Sequence, residues 1–389
     1  MIKYCLGVDV SKKEFHCCLS IIDQTQRVTV KSSRKFSNNK DGFKELHLWV
    51  QKHYREKSVP LVVIMEATGI YYEQLALYLF KSKYAVSVVL PNKAKKYLQS
   101  TGIKSKNDKI DAQGLARMGA EQRLDLWQPL DEYFYTLRSI TRQHQNLQEL
   151  KTSLNNQLHA LELGMYESKL VVKQLKTLLS TLDKQLGDLE TAIQKHVDSN
   201  EDVQQRVKHI CKIKGLGLLT VAVILAETNG FALFRNSRQL VSYAGYDVVE
   251  NQSGNHKGRT RISKKGNSRI RRSLHLPAFN MIRYEQTPFI SLFTRTLEKH
   301  GQKMKSYVAV QKKLLVIIYA LWKHNKPYEL NHEQRKHTGE KEQVPSSLLG
   351  LEQAGVGNEN SANPRAALHK VDILSNDRSC LLSANSKIH

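Results

Sequence analysis

Residues 60–69 read PLVVIMEATG, and this run decides the fold of the first part of the chain. Five consecutive apolar residues are followed by Glu66 and then by a Thr-Gly turn. A continuous apolar run of this length, bounded by turn signals, is typical of a strand that is buried on both faces. The sequence therefore predicts a buried central strand that ends in an acidic residue.

The segments on either side complete an α/β domain. The N-terminal segment reads as three short strands, YCLGVDV, EFHCCLSII and RVTVKSSRKF, separated by polar turns. The helix after them has an apolar side formed by Phe43, Leu46, Leu48 and Val50. Beyond the central strand come a helix, the strand AVSVVLP and a helix from about Asn107 to Gln122. Three strands in meander followed by alternating helices and strands predict a mixed sheet, and we assign this domain to residues 1–137.

Leucines then recur at heptad spacing, which predicts a coiled-coil segment over residues 138–205. The two seams are Leu147, Leu150, Leu154, Leu158 and Leu161, and Leu175, Leu179, Leu182, Leu186, Leu189 and Ile193. Gly164 lies between them and could form a turn. A coiled coil between two copies and a helical hairpin within one chain both fit this pattern, and we favour the contact between copies.

The remaining chain divides into a structured and an unstructured part. Residues 206–330 read as a mostly helical, all-α domain. Residues 331–389 show no periodicity, are rich in Asn, Ser, Gly and Glu, and contain seven Lys or Arg and seven Asp or Glu. We expect this tail to be disordered. All of the net charge therefore belongs to residues 1–330.

The charge of the chain indicates a polyanionic partner. Sixty Lys and Arg against 36 Asp and Glu give a net charge of +24 and a pI near 9.7. No run approaches the roughly 18 apolar residues of a membrane span, and the N-terminus lacks a signal-peptide cleavage site. Five cysteines without a C-x-x-C spacing fit a reducing cytoplasm. These features favour nucleic acid over a membrane surface as the partner.

Four acids in the first domain form a candidate metal site. Asp9 follows the first strand and Glu66 ends the buried strand, so both are expected at the carboxyl edge of the sheet. Asp108 and Asp111 lie three residues apart in KSKNDKIDAQGLARMG, on one face of a helix. Carboxylate oxygens suit Mg²⁺ or Mn²⁺, and two such ions about 4 Å apart can assist phosphoryl transfer. The alternative is that these acids cap helices or face solvent.

A basic loop in the last domain is the second candidate site. Eight Lys or Arg and no acid lie between Asn255 and Arg272, a composition that suits contact with a phosphate backbone. Ser253 and Ser263 are possible nucleophiles, although spacing alone favours neither and no nearby histidine forms an evident base. The Gly215–Gly217 turn ahead of a helix could bind a phosphate through its backbone, or could simply allow close packing.

Several motifs together resemble a known family. They are GVDVSK, MEATGIYYE and KNDKIDAQGLAR in the first domain, followed by IKGLGLLTVAVILAE, YAGY and KGRTRISKKGNSRIRRSL. In this order they look like the DEDD transposases of insertion sequences, RuvC-like recombinases of which some are guided by an RNA that the element encodes. The resemblance covers about residues 1–330, and the tail has no counterpart in it.

The resemblance implies a fold, a chemistry and a set of residues. It implies a RuvC/RNase H-like mixed-sheet domain, with Mg²⁺ or Mn²⁺ held by Asp9, Glu66, Asp108 and Asp111. It assigns the catalytic serine to Ser253 rather than Ser263. The residues expected to bind the nucleic-acid backbone are Lys257, Arg259, Arg261, Lys264, Lys265, Arg271 and Arg272. The implied partners are the DNA of the element ends and target, a guide RNA, and further copies of the chain in a homodimer or homotetramer.

Two other functions remain compatible with the residues. A metal-dependent, structure-selective nuclease needs the four acids but no serine, because water is its nucleophile. An inactive nucleic-acid-binding protein needs neither.

Overall fold

The apolar run at residues 61–66 forms an inner strand of a five-stranded mixed sheet. The computed structural model describes residues 1–102, 107–250, 252–253, 256–258 and 260–329, with the backbone alone at residues 252, 253, 256 and 257. The strands are β1 (Lys3–Val10), β2 (Glu14–Ile22), β3 (Val28–Ser37), β4 (Leu61–Glu66) and β5 (Ala85–Val89). Their order is β3-β2-β1-β4-β5, with β1 at the centre.

The pairing of the strands confirms the predicted mixed sheet. β1, β2 and β3 form an antiparallel meander, whereas β4 and β5 run parallel to β1. The parallel strands need crossover connections: α1 (Lys40–His53) leads from the meander to β4, and α2 (Glu73–Lys81) joins β4 to β5.

Helices cover both faces of the sheet. One face packs against α1 and α2, and the other against α3 (Pro91–Ser100) and α4 (Asp108–Glu121). Asparagine side chains start two of these helices, since Asn39 accepts from the Gly42 amide and Asn107 from the Ile110 amide. In α1 the structure differs from the prediction at one position: Leu48 is 65% exposed, and Trp49 takes the buried place instead.

Two long helices then pack against each other within the chain. They are α5 (Glu132–Glu162) and α6 (Lys169–Asp198), joined by a short turn that contains Gly164. The seam of α6 is buried at Leu175, Leu179, Leu182, Leu186 and Ile193. The chain therefore forms the helical hairpin that the heptads permitted, and the association of copies stays a prediction.

The rest of the described chain is mostly helical, as predicted. It contains α7 (Glu201–Cys211), α8 (Leu218–Thr228), α9 (Ser237–Tyr243), α10 (Ser268–Ser273), α11 (His275–Arg283), α12 (Thr287–His300) and α13 (Lys303–His324). Between α9 and α10 lie four two-residue strands, β6 (Val248–Val249), β7 (Gln252–Ser253), β8 (His256–Lys257) and β9 (Arg261–Ile262). The predicted disordered tail, residues 331–389, lies outside the described residues. Within the described ranges, no helix is long and apolar enough to span a membrane.

Candidate functional site

Asp9 and Glu66 lie at one edge and on one face of the sheet. Gly7 of β1 and Ile64 of β4 are register partners, and Asp9 and Glu66 each follow two residues later. Ile64 packs against Leu115 of α4. Since side chains alternate along a strand, Asp9 and Glu66 point to the face that α4 covers. Both are half-buried.

The direction of α4 brings its first turn to the same edge. A Cβ on Gly7 would overlap the backbone of Ala112 and Ala116, so α4 contacts β1 directly through this glycine. Near the C-terminal end of α4, Gly119 lies against Cys5 of β1, since a Cβ on Gly119 would overlap the Cys5 sulfur. Going from Gly119 to Ala112, the helix therefore advances from Cys5 towards the carboxyl end of β1. Its N-terminus reaches the edge where Asp9 lies.

Asp108 and Asp111 occupy that first turn of α4. Asn107 caps the helix, with its Oδ1 accepting a hydrogen bond from the Ile110 amide at 2.9 Å. Asp108 is exposed and Asp111 half-buried. His16 of β2, the register partner of Asp9, places its Nδ1 3.6 Å from Oδ2 of Asp108. His16 is a neighbour of the acids that the sequence analysis missed.

The four carboxylates fit a divalent cation by their chemistry and by their shared edge. All are hard oxygen donors of the kind that Mg²⁺ and Mn²⁺ prefer. Within the part of the chain that is described, however, no three His, Cys, Asp or Glu side chains come close enough together to form a ligand set. The backbone nevertheless brings the four acids to one edge of the sheet.

The segment that carries Ser253 is a hairpin closed at its base. The ends are joined by hydrogen bonds from the Ser263 amide to the Asp247 carbonyl and from the Asn267 amide to the Tyr243 carbonyl, both 2.7 Å. Above them β6 pairs with β9, and β7 then pairs with β8. Ser253 is the last residue of β7, opposite His256. The side chain of Ser253 lies outside the described residues.

The predicted nucleic-acid contacts of this loop fall into three groups. Lys257 and Arg259 lie outside the described side chains. Three others are exposed and make no ion pair with another described residue: Arg261, Lys264 and Lys265. These three remain candidates for contact with phosphate.

Arg271 and Arg272 make contacts within the chain. The Nη1 of Arg271 donates to the carbonyl oxygens of Ala244, at 2.9 Å, and Gly266, at 3.3 Å, so it ties the two ends of the hairpin together. Arg272 pairs with Glu149 of α5. The sequence showed these two arginines as part of a basic run and gave no sign of these partners.

A buried glutamate at the base of this hairpin joins four helices through its carboxylate and its backbone carbonyl. Glu227 of α8 accepts two hydrogen bonds from Arg142 of α5, at 2.7 and 2.9 Å, and one from the Asn267 side chain at 2.7 Å. The backbone carbonyl of Glu227 accepts a hydrogen bond from the Tyr243 hydroxyl of α9. Arg269 of α10 lies 3.8 Å from the same carboxylate. The side chain of Glu227 is only 2% exposed.

The hydrogen bonds to Glu227 affect the pKa of its carboxyl more strongly than its burial does. Desolvation raises the pKa of this carboxyl, but the hydrogen bonds from Arg142 and Asn267, with the charge of Arg142, bring the pKa below its ordinary value. The group is therefore an anion in the folded protein. The sequence analysis missed it, although a single acid at the end of the apolar run VAVILAE was a usable signal, because a buried charge requires partners.

The Gly215–Gly217 turn is a packing feature in the structure. Gly215 has a φ of +89°, and a Cβ there would meet Asn280 and Tyr284 of the α11 region. Asn280 donates to the Gly215 carbonyl at 3.2 Å, and Gln286 to the Lys214 carbonyl at 2.7 Å. These contacts favour the close-packing interpretation for Gly215, whereas a Cβ on Gly217 would meet nothing within 4 Å.

Comparison with protein families places this architecture among transposases. A family model of DEDD transposases of the IS110 type, described as "Transposase", matches residues 6–166. A second, described as "Transposase IS116/IS110/IS902 family", matches residues 207–292.

Individual relatives share most of the chain. A pilin gene-inverting protein of Moraxella bovis is 30% identical over 334 residues, which cover 85% of this chain and 98% of the relative. The transposase for insertion sequence element IS1111A of Coxiella burnetii is 26% identical over 270 residues, or 62% of this chain and 72% of the relative. Among solved structures, Thermus thermophilus RuvC matches with a TM-score of 0.25 and 12% identity, covering 30% of this chain and 93% of RuvC.

Proposed function

This chain belongs to the IS116/IS110/IS902 family of transposases, and we propose that it cleaves and exchanges DNA strands through a serine–DNA intermediate, with Mg²⁺ or Mn²⁺ bound at the four acids. The family fixes the class of activity, which is DNA recombination. The observation that best supports this chemistry is the shared edge: Asp9, Glu66 and the first turn of α4 all reach the same face of the sheet.

The proposed step is a transesterification at phosphorus. The hydroxyl oxygen of Ser253 attacks a DNA phosphodiester, an Oγ–P bond forms, and one bond from phosphorus to a deoxyribose oxygen breaks. The serine proton leaves to solvent, and the released deoxyribose oxygen takes up a proton. One phosphodiester replaces another, so the step needs no other reactant. Rejoining is the reverse attack by a deoxyribose hydroxyl on the phosphoserine.

The acids and the cations have separate roles in this proposal. Asp9, Glu66, Asp108 and Asp111 would hold the divalent cation, whose chemistry when bound is to neutralise charge on the phosphate. Arg261, Lys264 and Lys265 would contact the DNA backbone near Ser253, with Lys257 and Arg259. Arg271, which closes the base of the hairpin, would keep that loop in shape rather than contact phosphate.

Partners follow from the family and from the charge. The net charge of +24 suits simultaneous contact with element ends, target DNA and a guide RNA. With a guide, base pairing would supply the sequence specificity. The pilin gene-inverting relatives make inversion of a DNA segment a further expected outcome of the same strand exchange. Exchange between two DNA sites also suits a homodimer or homotetramer.

The test is a search for a covalent protein–DNA adduct. Wild type and Ser253→Ala are incubated with Mg²⁺, DNA that contains the element ends, and the flanking transcript, and are then denatured. We expect a DNA-bearing protein band in wild type that is lost in Ser253→Ala. Ser263→Ala is the matched control, because Ser263 lies in the same basic loop and the substitution removes only its hydroxyl, which among the described residues accepts a 3.3 Å hydrogen bond from the Lys265 amide.

Each alternative function gives a different pattern. Mg²⁺-dependent cutting without an adduct, unchanged in Ser253→Ala but lost in Glu66→Gln, would indicate a nuclease that uses water. Binding of DNA without any cutting, in wild type and variants alike, would indicate an inactive binding protein.

A further inference from the structure

Three large apolar side chains are exposed at the same edge of the sheet as the four acids. Ile70 and Leu90 are each 70% exposed, and Tyr71 is 40% exposed. We call these three residues the edge patch. Ile70 and Tyr71 follow the end of β4, and Leu90 follows the end of β5. Contiguous exposed apolar surface commonly marks a binding site.

The register of the strands brings the edge patch beside the acids. Glu66, the last residue of β4, is the register partner of Val89, and Leu90 comes next. Ala67 also donates to the Val89 carbonyl at 2.9 Å, so the two strand ends stay together. The loop with Ile70 and Tyr71 starts directly after Glu66.

The loop that carries Tyr71 is held in a defined position. The Asn38 side-chain amide donates to the carbonyl of Ser11, at 2.9 Å, and to the carbonyl of Tyr71, at 3.1 Å. Ser11 directly follows β1, so this amide fixes the loop across the end of the central strand. Gly69, with a φ of +58°, permits the tight turn before it. The patch is therefore a built surface beside Asp9 and Glu66.

Five lysines lie in the two segments that adjoin the edge patch. They are Lys12 and Lys13 in the turn after β1, and Lys93, Lys95 and Lys96 on α3, which follows Leu90. All five are exposed, and none forms an ion pair with another described residue. The surface thus combines apolar and aromatic side chains with positive charge.

We propose that the edge patch binds single-stranded DNA, with an unpaired base stacked on Tyr71 beside the phosphate to be cut. Single strands present both a charged backbone and free base faces, and proteins bind them with lysines and aromatic side chains in combination. Duplex DNA keeps its base faces stacked inside, so along its length it offers Tyr71 no free base face to stack on. The inference rests on the proposed function to the extent that DNA is the substrate at this edge.

The experiment measures fluorescence anisotropy of a labelled (dT)20 and of a labelled 20-base-pair duplex, both in EDTA so that no cleavage occurs. We expect Tyr71→Ala to weaken (dT)20 binding about 5- to 150-fold, the range for loss of one base–aromatic stack. Duplex binding should change less than about twofold. Tyr71→Phe should bind (dT)20 like wild type, because the ring is kept.

Two controls make the result specific. Tyr166→Ala removes a tyrosine that is 88% exposed in the turn between α5 and α6, and should leave (dT)20 binding unchanged. The binding measurement is made in EDTA and needs no strand cleavage, so a failure of the serine chemistry would not affect it. Melting curves of all variants exclude unfolding.

Four outcomes would overturn the inference. The first two are that wild type does not bind (dT)20, or that Tyr71→Ala weakens binding of (dT)20 and of the duplex equally. The other two are that Tyr71→Phe binds (dT)20 as weakly as Tyr71→Ala, or that Tyr166→Ala loses as much (dT)20 affinity as Tyr71→Ala. Tighter Tyr71-dependent binding of (rU)20 than of (dT)20, by tenfold or more, would assign the patch to RNA instead of DNA.

Discussion

Replacing Glu227 by glutamine is expected to destabilise the helices that carry the serine hairpin by about 2–4 kcal/mol. The carboxylate accepts two charge-assisted bonds from Arg142 and one from Asn267. Glutamine keeps the shape but has one acceptor oxygen, and its amide group faces the guanidinium. Charge-assisted hydrogen bonds contribute about 1.5–3 kcal/mol each, and loss of one partner of a buried pair costs about 3–5 kcal/mol. The Arg142 side chain is 40% exposed, so water recovers part of that loss.

The effect should depend on pH in a defined direction. The pKa of Glu227 lies below its ordinary value of 4.5, because hydrogen bonds from Arg142 and Asn267 outweigh the desolvation that raises it. A carboxyl with a lowered folded pKa stabilises the fold above its unfolded pKa, and this contribution is lost as pH falls through the folded value. The difference between wild type and Glu227→Gln should therefore be full near pH 7 and shrink below about pH 4.5.

The assay is urea unfolding followed by circular dichroism at pH 7 and at stepwise lower pH. Glu149→Gln is the matched control, because Glu149 also pairs with an arginine of α10 but is 49% exposed. Exposed pairs contribute about 0–1 kcal/mol, so this variant should stay close to wild type. If Glu227→Gln and Glu149→Gln unfold at the same urea concentration, the reasoning from burial is wrong.

Two further predictions concern packing and DNA contact. Gly187→Ala on α6 should raise the free energy of unfolding by about 0.5–1 kcal/mol, since a Cβ there meets nothing within 4 Å. Gly7→Ala should lower the free energy of unfolding by about 2 kcal/mol or more, because its Cβ would overlap the backbone of α4. Thermal melts compare the two variants, and a Gly7→Ala variant as stable as wild type would contradict the close contact. The double variant Arg261→Gln/Lys265→Gln should reduce the steepness of the fall of log affinity for duplex DNA with log salt by about 2, whereas Arg272→Gln should reduce it less. A double variant with the same slope as wild type would place Arg261 and Lys265 away from phosphate.

Much of the sheet was predictable because its signals are local. Strand alternation, the apolar run at 61–66 and the acids at strand ends all lie within single elements, and the structure has those strands where the sequence predicts them. The misassignment in α1 is also local: Leu48 and Trp49 are adjacent, and only packing against the sheet shows that Trp49 lies on the buried side.

What the sequence did not reveal depends on contacts between distant elements. Glu227 and Arg142 are 85 residues apart, and Arg272 and Glu149 are 123 apart. The heptads are equally ambiguous, since the same apolar seam can pack against a second copy of the chain or against a neighbouring helix. In this chain a short turn joins α5 and α6, and the two helices pack against each other. Periodicity identifies an apolar face but does not identify what covers it.

These contacts explain why a chain with a net charge of +24 buries an anion beneath its most basic loop. Arg142 and Arg269 both lie at the Glu227 carboxylate, at 2.7 and 3.8 Å, where α5 meets α8 and α10, and without that carboxylate their mutual repulsion would oppose the packing. Glu227 offsets this repulsion from the inside, and Glu149 pairs with a further arginine, Arg272, at the surface. The cations left without a partner in the described chain, such as Arg261, Lys264 and Lys265, face solvent. The excess positive charge is thereby concentrated where a polyanion can reach it, while the helices beneath the serine hairpin remain closely packed.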